Sequence, residues 1–139
     1  MPALSAEEIL ALVPGLADIA DIEIEDFSRL PGPHVTPEHM WRLAGRAAAW
    51  LDRPDVDGLV ITHGTDTMTD SAGVLAAVPG KTIVLTGALS PARFSDSDAT
   101  FNIGMAFAAA QTLPAGVYVA MNGRVFRGDE VQKDREQRR

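Results

Sequence analysis

Apolar residues along the chain fall into two spacings. Residues 58–61, 82–85 and 117–121 are short, nearly uninterrupted apolar runs, the pattern of strands covered on both faces. Between them, residues 68–78 and 100–112 carry apolar positions at helical intervals, and each stretch is closed by proline and glycine, at Pro79-Gly80 and Pro114-Ala115-Gly116. Further upstream, Thr36-Pro37 is an N-cap followed by proline at the first helical position. It opens a helix to Leu51 whose apolar stripe is Met40, Trp41, Leu43, Ala44, Ala47, Ala48 and Leu51. Ser5-Ala6-Glu7-Glu8 reads as a capping box before a short helix that Pro14-Gly15 ends. Residues 22–27 alternate apolar and acidic, which predicts a strand near a sheet edge with one wet face. Asn122-Gly123 predicts a turn, with residues 124–126 starting a small hairpin. Strands alternating with helices define an α/β class with a doubly wound parallel sheet, one domain over residues 1–139.

Composition narrows the partners. The hydrophobic fraction is 46%, and no apolar run approaches the roughly 18 residues that span a bilayer. No basic leader or secretory apolar core opens the chain, and there is no cysteine, so the expected compartment is cytoplasmic. The net charge of −7 resides wholly in residues 1–28, which hold Glu7, Glu8, Asp18, Asp21, Glu23, Glu25 and Asp26 and no Lys or Arg. An acidic surface repels phosphate backbones, so neither nucleic acid nor membrane is an expected partner. With only His34, His39 and His63 and no ligand spacing, no metal is expected.

Thr62-His63-Gly64-Thr65-Asp66-Thr67 lies where an apolar run stops and a helical run begins. In open α/β sheets ligands bind just beyond the carboxyl ends of the strands, so these polar side chains are candidates for chemistry. A structural role is open beside it. Thr65 can N-cap the next helix and Asp66 can face its positive end, while His63 fits a packed, hydrogen-bonded turn residue. Gly87 brings backbone close to a ligand or simply ends a strand, and Asp98 and Asn102 suit a cap and an internal polar contact.

Val60-Ile61-Thr62-His63-Gly64-Thr65-Asp66-Thr67-Met68 resembles the second signature of the L-asparaginase/glutaminase family. Asp55-Val56-Asp57-Gly58 leads into it as in that family, and Ile83-Val84-Leu85-Thr86-Gly87-Ala88 with Pro91 is similar to the next strand and loop. Ser97-Asp98-Ala99-Thr100-Phe101-Asn102-Ile103 resembles an Asp-Gly-Pro-x-Asn-Leu segment. Residues 119–123 and 128–133 resemble the strand and loop ending at an active-site lysine. The resemblance implies a flavodoxin-like (Rossmann-like) sheet and hydrolysis of a side-chain amide, asparagine to aspartate and ammonia, without metal or organic cofactor. It implies Thr65, Asp66 and Lys133 as catalytic residues, and Gly64, Thr65, Asp66, Gly87 and Ala88 as substrate-binding ones. The expected partner is a small amino acid, and family habit implies a homo-oligomer. The short, single-domain class of the family fits the chain best.

Two features of the family have no counterpart in these 139 residues: the first strand ending in Gly-Gly-Thr-Ile, which carries the principal nucleophilic threonine, and a mobile tyrosine after it. In a flavodoxin-like order that strand lies between residues 22–27 and 58–62. Without it unpaired amides and an open groove are expected. Three explanations stand: upstream residues belong to the protein, the sheet rearranges, or another chain fills the gap. The alternative function is therefore an inactive asparaginase-like domain, a pseudoenzyme or an amino-acid-binding module.

Overall fold

A computed structural model describes residues 6–11, 13–25, 36–63, 68–76, 80–87, 99–121 and 123–128. Its elements in chain order are α1 (Ala6–Ala11), a 3-10 turn (Pro14–Asp18), α2 (Pro37–Leu51), β1 (Gly58–Thr62), α3 (Met68–Leu75), β2 (Thr82–Thr86), α4 (Ala99–Thr112), β3 (Gly116–Met121) and β4 (Arg124–Arg127). The four strands form one sheet in the order β1-β2-β3-β4. β1, β2 and β3 run parallel, with Gly58 beside Thr82 and Thr82 beside Gly116, and β4 returns antiparallel to β3. The predicted hairpin is therefore present. Its turn uses Gly123 at φ +81°, a conformation costly for residues with a Cβ.

Side-chain alternation sends each parallel strand into two cores. On one face Leu59, Ile61, Ile83, Leu85 and Val119 meet Ala44, Ala47 and Leu51 of α2 and Met68, Ala72 and Leu75 of α3. On the other, Val60, Val84, Tyr118 and Ala120 meet Ala106 and Ala109 of α4. A smaller cluster joins Leu16 and Ile103 with Ile22 and Phe107 at its margin. The apolar runs are thus strands buried on both faces, and β2 is buried at all five positions. No described helix is long and apolar enough to cross a membrane.

Thr36 caps α2 as its sequence predicts: its hydroxyl accepts the His39 amide at 3.2 Å, and Pro37 follows it. Replacing Thr36 by alanine is expected to cost about 1 kcal/mol in chemical denaturation, with no change in the denaturant dependence of unfolding.

Two expectations are corrected. Residues 22–25 are not a strand, and residues 26 and 27 lie outside the described residues. A strand exists through its ladder, and here the acidic side chains bond elsewhere. Glu25 accepts Arg46 Nη2 at 2.7 Å and Trp50 Nε1 at 2.7 Å, and Glu23 accepts Arg53 Nη2 at 2.9 Å. Arg46 is the main cause holding the Glu25 carboxyl below its usual range. The segment is strapped to α2 and to Arg53 just beyond it instead of joining the sheet. The second correction is the apolar stripe of α2, where Ala48 is exposed and so is Trp41, at 62%. At about 100° per residue Trp41 sits a quarter-turn beyond Met40, outside the arc that Ala44, Ala47 and Leu51 bury.

Candidate functional site

The carboxyl ends of β1 and β2 are tied together at the residue that precedes the candidate stretch 64–67. The His63 amide donates to the Thr86 carbonyl at 2.8 Å, which extends the β1-β2 ladder by one residue. Its ring reaches α3, where His63 Nε2 and Ser71 Oγ are in hydrogen-bond contact at 2.8 Å and Ser71 is fully buried. His63 is thus anchored to both β2 and α3, and the next described residue, Met68, is also buried.

Gly87 follows β2 at the same rim. A Cβ there would lie 2.3 Å from the His63 carbonyl oxygen and 3.0 Å from Met68 Cε. No side chain fits between these backbones, so the glycine is required by proximity. The Gly87 carbonyl accepts Asn102 Nδ2 of α4 at 2.8 Å. Asn102 is fully buried, and its amide also reaches Met121 Sδ at 3.6 Å. Thr86 is buried too, its hydroxyl donating to the Ala120 carbonyl at 2.8 Å. Buried polar groups are stable when partnered, and this set links β1, β2, β3, α3 and α4 around one rim.

Of the predicted site residues, Gly87 lies at this rim. Gly64, Thr65, Asp66, Ala88 and Lys133 lie outside the described residues, as does Asp98. His63 fits the hydrogen-bonded turn role, and Asn102 fits the internal polar contact. Ser71 was legible by a simple signal that sequence reasoning passed over. It occupies the third position after Met68 on the stripe that continues through Ala72 and Leu75, where a buried hydroxyl needs a partner. Lys81 was also passed over. Its ammonium donates to the carbonyls of Arg53 (2.9 Å) and Val56, holding the loop that feeds β1.

The family model described as asparaginase, N-terminal, matches residues 1–139. The chain belongs to the asparaginase family. It is 35% identical over 132 residues to a glutaminase-asparaginase of Pseudomonas fluorescens biotype A, a match covering 91% of this chain and 36% of that one. It is 37% identical over 136 residues to an L-asparaginase of Thermococcus kodakarensis, covering 94% of this chain and 40% of that one. One component of a glutamyl-tRNA(Gln) amidotransferase from Methanococcus vannielii is 35% identical over 129 residues, covering 89% and 29% respectively. Among solved structures, one described as a probable cytoplasmic L-asparaginase from Campylobacter jejuni superposes with a TM-score of 0.83 at 32% identity, covering 91% of this chain and 41% of that one. The chain thus spans less than half the length of these relatives.

Proposed function

We propose that this chain carries an amide-hydrolysing site of the asparaginase type at the rim beyond β1 and β2. The observation that supports it is the double anchoring of His63, through its amide to Thr86 and its ring to Ser71. That anchoring fixes the residue just before Gly64-Thr65-Asp66, at the strand ends where an α/β sheet binds ligands. Thr65 is the nucleophile or the residue that activates water, Lys133 is its base, and Asp66 holds the substrate's α-amino group and orients the lysine. A threonine hydroxyl attacks well only when a base takes its proton, and a lysine serves as base when desolvation favours its neutral form. In the acyl route the hydroxyl oxygen bonds to the amide carbon, the proton passes to the leaving nitrogen, ammonia departs, and water hydrolyses the ester. Gly64, Gly87 and Ala88 line the substrate's path. No cofactor enters the scheme, and a cytoplasmic homo-oligomer is the proposed setting.

The test is ammonia release from L-asparagine and L-glutamine. Thr65→Ala is expected to lower turnover by a hundredfold or more, on the order of what a lost proton-transfer or nucleophilic group removes. Unchanged turnover would remove Thr65 from the chemistry. A second reading is an amino-acid-binding domain without turnover. It is favoured by the outer edge of β1, which has no strand partner among the described residues. Calorimetric binding of aspartate with no ammonia release would select it.

A further inference from the structure

Ser71 lies on α3 and is fully buried. Its hydroxyl meets Nε2 of the half-buried His63 at 2.8 Å, and it has no other side-chain hydrogen bond among the described residues. A hydroxyl has one proton to give and two lone pairs to receive with, and a neutral imidazole has one protonated and one bare nitrogen. The pair can therefore form in two ways. If the ring carries its proton on Nε2, Ser71 accepts, and its own buried proton is left without an acceptor among the described residues. If the ring carries its proton on Nδ1, Ser71 donates to Nε2, and only a spare lone pair goes unused. A buried donor without an acceptor is costly, whereas a spare lone pair on an oxygen that is already bonded costs little. The second arrangement wins.

Backbone contacts hold the other end of the same residue. The His63 amide donates to the Thr86 carbonyl at 2.8 Å, and the His63 carbonyl oxygen lies so close to Gly87 that a Cβ there would stand 2.3 Å away. What these contacts leave free is rotation of the His63 side chain, and Ser71 removes it. The bond joins residues eight apart, one at the end of β1 and one on α3, so it braces the strand end against the helix across the stretch that contains Thr65 and Asp66.

We infer that Ser71 is a positioning residue. It fixes the neutral His63 ring with its proton on Nδ1, and through that ring it fixes the strand end from which Gly64-Thr65-Asp66 follow in sequence. The catalytic consequence rests on the amide-hydrolysing reading above, whereas the state of the ring does not. In that state neither ring nitrogen is open to a proton from substrate or nucleophile: Nε2 is engaged by Ser71, and Nδ1 already carries a proton. His63 therefore orients and does not serve as base, and in the proposed reaction that role stays with Lys133.

The probe is the ring itself. Nitrogen-15 NMR of the intact chain at about pH 8, above the ordinary titration range of an imidazole, reports which ring nitrogen holds the proton, and loss of the signals in His63→Asn assigns them. The expected spectrum has Nδ1 protonated and Nε2 bare. In Ser71→Ala both tautomers are expected, because the bond made by one nitrogen decides where the proton sits. Ammonia release from L-asparagine is expected to fall about tenfold or more in that variant, as when a reacting group is displaced. Ser71→Thr keeps the hydroxyl donor and is expected to stay within about threefold of the parent. A merely structural role would give the opposite order, since alanine suits a buried helical position better than the larger, branched threonine. Nε2 protonated in the parent protein, or a tautomer unchanged by Ser71→Ala, would overturn the inference. So would equal turnover of the parent and Ser71→Ala. A parent chain that releases no ammonia would instead remove the amide-hydrolysing reading, and the tautomer would still decide this one.

Discussion

Leu85→Ala is expected to remove about 2–5 kcal/mol of stability, enough to leave a single domain of ordinary stability largely unfolded at moderate urea. Leu85 is the fourth residue of β2, fully buried, and packs in the core shared by α2, α3 and the sheet. Truncation removes three carbon atoms from a place with few ways to close. β2 is held by ladders on both sides, to β1 and to β3, so the backbone cannot move inward without breaking one of them. The cost is then the lost transfer energy together with an unrelaxed cavity. Urea denaturation read by tryptophan fluorescence measures it. The comparison is Val125→Ala on β4, where the side chain is 43% exposed and a change within about 0.5 kcal/mol is expected. Equal midpoints for the two variants would contradict this placement of the core.

Gly87→Ala is expected to cost about 1–3 kcal/mol and to displace the rim. The new methyl would stand 2.3 Å from the His63 carbonyl oxygen, which is backbone and cannot rotate away, whereas the contact with Met68 Cε at 3.0 Å is with the end of a flexible side chain. Relief requires the ends of β1 and β2 to separate. That strains the bond from the His63 amide to Thr86 and the bond from Asn102 to the Gly87 carbonyl. Faster exchange of the His63 amide, together with the lowered midpoint, is the expected signature. Gly73→Ala on α3 is the control. A Cβ there meets nothing within 4 Å, and in a helix alanine is favoured over glycine by up to about 1 kcal/mol. The two substitutions add the same methyl and are expected to act in opposite directions.

These cases mark what the amino-acid order reveals. β1, β2 and β3 were legible because a strand buried on both faces leaves little choice but consecutive apolar residues, as in Ile83-Val84-Leu85. The α2 cap was legible because a hydroxyl before a proline has a local function. Residues 22–25 misled because alternation of isoleucine and glutamate also arises when acids reach sideways to a helix. Arg46 and Arg53 supply that alternative, and they lie far along the chain. Trp41 misled because an aromatic residue near an apolar arc reads as part of it until the angle is drawn. At the candidate site the hydrogen-bonded role of His63 was readable from its place in a polar run, but its partner Ser71 was not. The need for glycine at position 87 was not, because the atom it avoids belongs to a neighbouring strand.

The two margins of the sheet are unlike. β4 presents exposed Arg124 and Arg127, and charged residues on an outermost strand discourage further pairing. Among the described residues the opposite margin is β1, which carries no charged side chain. Endless fibres require every copy to be adhesive at both ends, and the charged β4 margin withholds one of them. Concentrating the protein should therefore not give filaments built strand upon strand.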